Sequence, residues 1–386
     1  MNKGKLKVWV IPGWFPGLLD EHAGDFVLKQ AQDLANFGNM DVTVIYPELS
    51  YQFWNRPKYW CPQTTLSEHN NVVVYRHSGF SLPRFSFGLF VRWRSQVGAL
   101  ISSIMDEVGA PDIIHAHTFV GGFAASAIKS SNPHIPVILT EHSHLLFNLP
   151  RRYQKVIKLA YVNADHLLAP SEKLLHFMNS WRGNSAISRI PLSIDEQVFQ
   201  RGTNARKKGP LQLITVCELL PIKNLELQIE VLAVLNHSGF PAELTIVGDG
   251  PKHRDLLHHA KHLGVFSSVH FMGWQEPLEV ANLLRLANIY LCTSLQETFG
   301  LSILEALSCG IPVVSTRCGG PEDLIHDRNG MLVEATKEAF SSAIRSVAAK
   351  NMAVATNPLV DSNIYGSEAV VKKLHSLYYN YLQGNN

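Results

Sequence analysis

Two glutamates, eight positions apart, are the residues in this sequence whose type and spacing most clearly suggest chemistry. Glu297 and Glu305 lie in the stretch Ser294–Ile325, SLQETFGLSILEALSCGIPVVSTRCGGPEDLI, on either side of a Phe-Gly-Leu triplet. A short apolar strand precedes the stretch, and an amphipathic helix is predicted to begin inside it. Backbone N–H groups at a helix N-terminus lack partners and attract anions, so we expect a phosphate to bind here. The amides concerned are those of Phe299, Gly300 and Leu301.

The residues alone leave two interpretations of the glutamates. As ligand-binding groups, Glu297 would accept hydrogen bonds from sugar hydroxyls, and Glu305, one turn into the helix, would accept them from a ribose diol. As ordinary helix residues, both would complement the helix dipole and solvate the surface. The ligand-binding interpretation is favoured because the pair occurs together with glycines at positions 310, 319 and 320.

Two further loops fit a phosphate site. Lys223, in the sequence VCELLPIKN, stands just before a predicted helix, where its charge would pair with a phosphate. Gly248, in the sequence IVGDGP, ends a predicted strand and allows a tight turn. For each loop taken alone, an exposed lysine or an ordinary turn is the plain alternative.

The elements that would position these residues form two successive α/β patterns. Short β-branched runs alternate with amphipathic helices in both halves, which is typical of a parallel sheet covered by helices. The fold class is therefore α/β, with two doubly wound, Rossmann-like units. Ligands bind beyond the carboxyl ends of such strands, so two units facing each other would hold a substrate in a cleft. The predicted boundaries are 1–200 for the first domain, 201–210 for a basic linker, 211–360 for the second domain and 361–386 for a final helix.

The individual elements follow from the same patterns. The predicted strands of the first half are Val8–Ile11, Val42–Tyr46, Val72–Tyr75, Ile113–His115, Val137–Thr140 and His166–Ala169. Those of the second half are Leu211–Val216, Glu243–Val247, Val269–Phe271, Ile289–Leu291 and Pro312–Ser315. The predicted helices include Phe26–Phe37, Leu225–Leu235, Arg254–Leu263, Leu301–Ser308 and Ser367–Leu382.

Composition excludes several classes of protein. The chain has 386 residues and a formal net charge of +2, which is too small to imply nucleic acid as a partner. Its five cysteines contain no C-x-x-C pair, so neither a zinc site nor a disulfide framework is expected. The apolar run Val8–Pro12 is too short for a signal peptide, and no stretch reaches the ~20 apolar residues of a membrane span. We therefore expect a cytoplasmic protein.

The order of these motifs resembles a known family. The lysine loop, IVGDGP, VHFMGW, the glutamate stretch and GGPEDLI follow one another as in the retaining, nucleotide-sugar-dependent glycosyltransferases of family 4. The two glutamates match that family's Glu-x7-Glu motif, and the resemblance covers nearly the whole chain. It implies the GT-B fold, in which two Rossmann-like domains face each other across a cleft and a final helix crosses back onto the first domain.

The resemblance also implies roles for individual residues. In the family, the donor diphosphate lies on the helix after the first glutamate and against a lysine, while the two glutamates hold the transferred sugar and the ribose. A histidine at a strand end, His142 here, points towards the reacting sugar, whereas His115 and His117 are interpreted as core residues. The implied catalytic residues are His142, Glu297 and Lys223. The implied donor-binding residues are Lys223, Gly248, Glu297, Phe299, Gly300, Leu301 and Glu305.

The family resemblance implies a reaction without a cofactor or a bound metal. Such enzymes retain configuration by front-face attack, so catalysis would depend on stabilising the departing diphosphate. One departure from the family pattern concerns this step. Where the family often carries Gly-Arg, this sequence has Cys217-Glu218, and we expect Lys223 and the helix to suffice without the arginine.

The first half of the sequence is expected to bind the acceptor. Gly13 and Gly24 lie in the loop after the first strand, which resembles the acceptor-side loop of the family. Arginines and aromatic residues are interleaved between residues 75 and 101. This segment predicts contact with an anionic membrane or a lipid-diphosphate acceptor, and its alternative is a solvated helix face with core aromatics. The predicted contact residues are Arg84, Arg92, Trp93 and Arg94.

The leading hypothesis is transfer of a hexose from a nucleoside diphosphate sugar to a glycan or lipid-linked acceptor, with retention of configuration. The expected setting is the synthesis of capsule, exopolysaccharide or lipopolysaccharide, with peripheral contact at the cytoplasmic face of the inner membrane. Two alternatives remain at this point. One is a GT-B sugar-nucleotide epimerase, and the other is a non-catalytic glycosyltransferase-like partner subunit.

Overall fold

Two compact units make up the chain, residues 1–191 with 367–386 and residues 192–366. Each is built around its own sheet. The structure, a computed structural model, describes residues 5–17, 21–50, 63–81, 87–143, 146, 151–202, 209–350 and 360–384.

The sheet of the first unit has, within the described residues, eight strands in the order β3-β4-β2-β1-β5-β6-β7-β8. Neighbouring strands are parallel except for the β3–β4 pair, which is antiparallel. Every residue of β5, β6 and β7 is buried, because helices cover both faces of the sheet. The strands are β1 (Lys7–Pro12), β2 (Asp41–Ser50), β3 (Gln63–His69), β4 (Val72–Ser81), β5 (Ile113–His117), β6 (Val137–Thr140), β7 (His166–Ala169) and β8 (Ala186–Arg189).

Alternating residues of this sheet enter two separate cores. Val8 and Val10 of β1 pack in a core with residues of the first and last helices, whereas Trp9 and Ile11 pack in a core with residues of the second to fourth helices. The C-terminal helix is therefore part of the first unit. The helices of this unit are α1 (Asp25–Phe37), α2 (Phe87–Val108), α3 (Thr118–Ser131), α4 (Arg151–Val162), α5 (Glu172–Asn179) and α13 (Ser367–Leu382).

The predicted basic and aromatic contact surface is wrong for two of its four residues, Trp93 and Arg94. Trp93 is only 2% exposed and packs against Phe90 and Phe123 in the core. Arg94 donates hydrogen bonds to Ser126 and Ser130 of α3, so it fastens two helices together. The period of α2 turns these two side chains inward. Of the four predicted residues, Arg92 is exposed and Arg84 lies outside the described residues.

The second unit has, within the described residues, a six-stranded parallel sheet in the order β11-β10-β9-β12-β13-β14. The strands are β9 (Leu211–Val216), β10 (Ala242–Val247), β11 (Val269–Gly273), β12 (Ile289–Cys292), β13 (Val313–Thr316) and β14 (Gly330–Val333). The helices are α6 (Leu225–His237), α7 (His253–His262), α8 (Pro277–Leu286), α9 (Leu301–Ser308), α10 (Pro321–Leu324), α11 (Lys337–Ala349) and α12 (Ser362–Tyr365).

The boundary between the units differs from the predicted one. It falls after residue 191, not residue 200, and residues up to 366 stay with the second unit. Arg285 of α8 donates hydrogen bonds to the carbonyls of Val198 and Gln200, which attaches this stretch to the second unit. Ile194 is held there by its amide, which donates to the carbonyl of Tyr365. Most of the predicted linker, residues 203–208, lies outside the described residues.

Candidate active-site residues

Three loops of the second unit gather the predicted donor-binding residues at the carboxyl edge of its sheet. Lys223 lies in the loop after β9, Glu297 in the loop after β12, and Gly319 and Gly320 in the loop after β13. These strands are neighbours in the order β9-β12-β13, so the loops lie side by side. The main chain joins them directly: the amide of Leu295 donates to the carbonyl of Ile222 at 2.8 Å.

Lys223 and Glu297 form an ion pair. The Nζ atom of Lys223 donates to Oε1 of Glu297 at 2.6 Å, and the Ser294 hydroxyl donates to the same oxygen at 2.8 Å. Burial alone would lower the pKa of Lys223, but the Glu297 carboxylate raises it above its usual value, so the ammonium stays charged. No described residue donates to the second carboxylate oxygen, Oε2. The pair therefore presents one cation and one acceptor oxygen to a ligand.

The N-terminus of α9 has the geometry of an anion site. Gly300, its N-cap residue, has φ 95° and ψ 56°, a left-handed conformation that favours glycine. The amides of Ile303 and Leu304 donate to the Gly300 carbonyl and close the first turn. Among the described residues, the amides of Phe299, Gly300 and Leu301 make no hydrogen bond, so they remain available to an anion.

Tyr290 holds this helix start in place, a role that the sequence analysis did not predict. Tyr290 lies within β12, and its hydroxyl is 2.7 Å from the hydroxyl of Ser302 in the first turn of α9. The same hydroxyl donates to the carbonyl of Val216 at the end of β9 at 3.1 Å. Tyr290 is 2% exposed, and its hydroxyl joins the first turn of α9 to the end of β9.

Two glycines let the loops that follow neighbouring strands of the second unit approach one another. A Cβ atom at Gly320 would collide with the backbone of Phe299, and one at Gly248 would collide with the carbonyl of Cys217. Gly248 also has φ 122°, which a larger residue adopts only with strain. Gly248 thus lies against Cys217, in the loop that carries Lys223. Its contact with the donor stays a prediction.

Glu305 lies one turn into α9 and is partly buried. Burial raises the pKa of its carboxyl group from 4.5 to about 8, so at neutral pH the folded protein favours the protonated acid. No described side chain forms a hydrogen bond with it. A group that is costly to ionise and has no protein partner fits a ligand-binding role better than a surface-solvating one.

This pKa predicts how a substitution changes stability with pH. The folded state holds the Glu305 proton more tightly than the unfolded chain, so the wild-type protein loses stability as pH rises from about 4.5 to about 8. Glu305→Gln removes this loss, and its advantage in the free energy of unfolding should grow by roughly 3 kcal/mol between pH 5.5 and 8.5. Urea unfolding of the variant and the wild type at both pH values measures this difference in the free energy of unfolding. Glu334→Gln, at an exposed position, is the control. An advantage that does not change with pH would contradict the prediction.

In the first unit, His142 follows β6 and pairs with a second histidine. Its Nε2 atom lies 2.9 Å from Nδ1 of His117, and the planes of the two rings are inclined to each other by 9°. Burial lowers the pKa of His142 to about 3 and that of His117 well below its usual value, so both rings are neutral. One ring must then donate the shared proton to the other. His117, interpreted from the sequence as a core residue, is therefore part of the same constellation.

Glu141 shapes the turn that carries His142. Its Oε1 atom accepts hydrogen bonds from the amides of His142 and Ser143, both at 2.9 Å, and Oε2 accepts one from the Tyr161 hydroxyl. Burial raises the pKa of this carboxyl group to about 7 in spite of these bonds. Glu141 is part of the motif TEHS, but the sequence did not show that its carboxylate positions His142. That role is visible only from its hydrogen bonds in the structure.

His115 connects the histidine pair to the C-terminal helix. Its Nδ1 atom lies 2.6 Å from the Tyr378 hydroxyl of α13, and its Nε2 atom lies 2.7 Å from the Thr140 hydroxyl. The ring lies 4.4 Å from that of His117, measured between centroids. His115 is fully buried, which agrees with its interpretation as a hydrogen-bonded core residue.

The two predicted acceptor-side glycines fix the loop between β1 and α1. The Gly13 amide donates to the His117 carbonyl at 2.9 Å, and a Cβ at Gly13 would collide with Thr118. Gly24 is the N-cap of α1 with φ 68°. A Cβ at Gly24 would lie 2.5 Å from the Trp14 carbonyl oxygen, so glycine allows this close approach.

The described residues contain no cluster of three or more His, Cys, Asp and Glu side chains placed to hold a metal ion. They also contain no helix long and apolar enough to cross a membrane.

Two family models match the chain in succession. Residues 24–198 match the model described as Glycosyltransferase Family 4, and residues 196–357 match the model described as Glycosyl transferases group 1. The first match contains the histidine pair, and the second contains the Lys223–Glu297 pair and the start of α9.

Other proteins resemble the chain over most of its length, one in sequence and two in fold. The chain is 26% identical over 335 residues to N-acetyl-alpha-D-glucosaminyl L-malate synthase of Bacillus anthracis, covering 81% of this chain and 84% of that protein. Sucrose-phosphate synthase of Thermosynechococcus elongatus superposes with a TM-score of 0.81 at 18% identity, over 98% of this chain and 100% of that one. HepE of Anabaena, in complex with UDP and glucose, superposes with a TM-score of 0.74 at 16% identity, over 97% and 100% of the two chains.

Proposed function

Because this chain belongs to family 4 of the glycosyltransferases and is a hexosyltransferase of the GT-B fold, we propose that it moves a hexose from a nucleoside diphosphate sugar to a glycan or lipid-linked acceptor. The transfer retains the configuration of the sugar and serves the synthesis of a surface polysaccharide. The observation that carries this proposal is the Lys223–Glu297 pair beside the open amides of α9.

Two parts of a nucleotide sugar, the diphosphate and the transferred hexose, have matching groups in the second unit. The amides of Phe299, Gly300 and Leu301 and the ammonium of Lys223 suit the two phosphates. The Oε2 atom of Glu297 suits a hydroxyl of the transferred hexose. These groups lie on loops that the main chain fastens together, so little ordering is needed when the donor binds.

The proposed chemistry is a substitution on one face of the sugar. The bond from the anomeric carbon to the diphosphate breaks, and a bond to the acceptor oxygen forms on the same face. The leaving phosphate oxygen takes the proton of the acceptor hydroxyl. We propose that Lys223 and the α9 amides, without a bound divalent ion, neutralise the charge that builds up on the diphosphate.

Glu218 stands where the family often has arginine, and its side chain is exposed. Water therefore screens its charge, which supports the proposal that Lys223 and the helix serve the diphosphate without that arginine.

Binding of a nucleotide sugar tests the proposal directly. We expect one member of a panel containing UDP-glucose, UDP-N-acetylglucosamine, GDP-mannose and ADP-glucose to raise the melting temperature by roughly 2–4 °C at about 100 times its Kd. Lys223→Met should abolish the shift, because it removes the phosphate cation. Product analysis by mass spectrometry then follows the hexose. Absence of any shift, or an epimerised nucleotide sugar without transferred hexose, would contradict the proposal.

A further inference from the structure

The first unit has an exposed tryptophan, Trp14, that is linked to its histidine pair through the ring of Phe26. Trp14 follows β1, and 48% of its surface is accessible to solvent. Its ring meets the ring of Phe26 edge-on, with centroids 6.1 Å apart, and the Phe26 ring meets that of His142 in the same way at 4.9 Å. An aromatic row therefore leads from the surface to the proposed reacting end of this unit.

The backbone that carries Trp14 is held on both sides. The preceding residue, Gly13, is hydrogen-bonded to His117 and packs against the first turn of α3. The Trp14 carbonyl lies against Gly24 at the start of α1. The following residue, Phe15, is buried at 2% exposure and contacts Tyr46. The indole is thus presented by a fixed main chain, although burial in the core would have been more favourable for its apolar surface.

Polar residues flank Gly24 and Phe26, the two residues of this segment that contact Trp14. Glu21, His22 and Asp25 precede and begin α1, and all three are exposed. Carboxylates and an imidazole can form hydrogen bonds with hydroxyl groups, whereas carboxylates repel an anionic lipid surface. A pyranose ring has one face of C–H groups and a rim of hydroxyls, so it matches an aromatic face with polar neighbours. This chemistry favours a carbohydrate over a lipid chain.

We propose that Trp14 is a stacking platform for a pyranose ring of the acceptor. The proposal rests on the proposed function, because it assigns to the acceptor side a sugar next to the position of transfer. Trp14 thereby acts as a specificity-determining residue, since a ring that presents an axial hydroxyl to the indole would stack less well. The Phe26 ring supports the indole and lies between it and the His142 ring.

Indole NMR signals test the platform without any need for activity. The chain has seven tryptophans, and Trp14→Phe assigns the Trp14 signal by its disappearance. We expect this signal to shift saturably with at least one of methyl β-glucopyranoside, methyl α-mannopyranoside and N-acetylglucosamine in the millimolar range. Open-chain sorbitol should leave it unmoved. The signal of Trp274, 40% exposed in the second unit, should not respond to either.

Saturation transfer from the protein to the sugar gives a second measurement. Trp14→Ala should reduce the transfer to the bound pyranoside about tenfold, whereas Trp274→Ala should leave it unchanged. A Trp14 signal that ignores all three pyranosides, moves equally with sorbitol, or moves only with anionic phosphatidylglycerol vesicles overturns the proposal. The nucleotide-sugar melting shift, measured on the same sample, separates failure of the platform from failure of the proposed function.

Discussion

Replacing Glu297 with glutamine is expected to lower kcat for hexose transfer by about 10²–10³-fold. Its carboxylate accepts hydrogen bonds from Lys223 and Ser294 through one oxygen and leaves the other for the donor sugar. Glutamine has nearly the same shape but no charge, so it can neither anchor the ammonium nor bind the sugar hydroxyl as strongly. Exposed Glu334→Gln is the matched control and should keep the wild-type rate.

Stability measurements on the same pair separate chemistry from folding. Lys223→Met or Glu297→Gln alone leaves one partly buried group without its counterpart and should cost a few kcal/mol of unfolding free energy. The double variant should cost less than the sum of the two, because neither group is then left unpaired. Additive losses, or a Glu297→Gln enzyme with full kcat, would refute the assignment of this pair.

Replacing His142 with alanine is expected to lower kcat by about 10²-fold. The ring is buried, neutral and paired with His117, so its contribution comes from a positioned hydrogen bond and not from a positive charge. His142→Asn, which keeps a hydrogen-bonding group, should recover part of the loss. Exposed His134→Ala, in the same unit, is the control and should have no effect.

The pH profile of transfer provides the decisive check on this histidine. Burial lowers the pKa of His142 to about 3, so its protonation should not affect kcat between pH 5.5 and 8. An inflection near pH 6.5 that disappears in His142→Asn would show that the ring titrates during turnover, and the neutral assignment would then be wrong.

The sequence predicted the central strands well, because they are short, β-branched and buried on both faces. Three strands were not predicted. β3, QTTLSEH, is an exposed antiparallel edge strand with no apolar run, so its pairing with β4 gives no periodic signal. β8 and β14 have only four residues each, and just one of their eight residues is buried. Edge strands depend on a neighbour for their existence, and a single sequence does not show that neighbour.

The site was predicted in part for a similar reason. The start of α9 and its unbonded amides are local features, so the sequence Phe-Gly-Leu was enough to place them, and their binding of an anion stays a prediction. The hydrogen bond between Lys223 and Glu297 joins residues 74 positions apart in the sequence. The sequence did not predict that the two side chains bind each other directly, and only the fold shows it. For Trp93 and Arg94 the sequence was misleading, because their residue types suggested a contact surface. The orientation of α2 instead buries Trp93 in the core and places Arg94 in a hydrogen bond with Ser126.

The composition of the first unit has a consequence for biosynthesis. Its core includes Val370, Leu374 and Tyr378 of α13, so the unit lacks part of its interior until α13 has been translated. At about 5–20 residues per second, the ribosome needs on the order of ten seconds or more to make residues 192–366, which separate the two parts. During that interval the surface that will receive α13 stays exposed, including the apolar face around Val27 and Leu34. The nascent first unit therefore exposes apolar surface that the folded protein buries under α13.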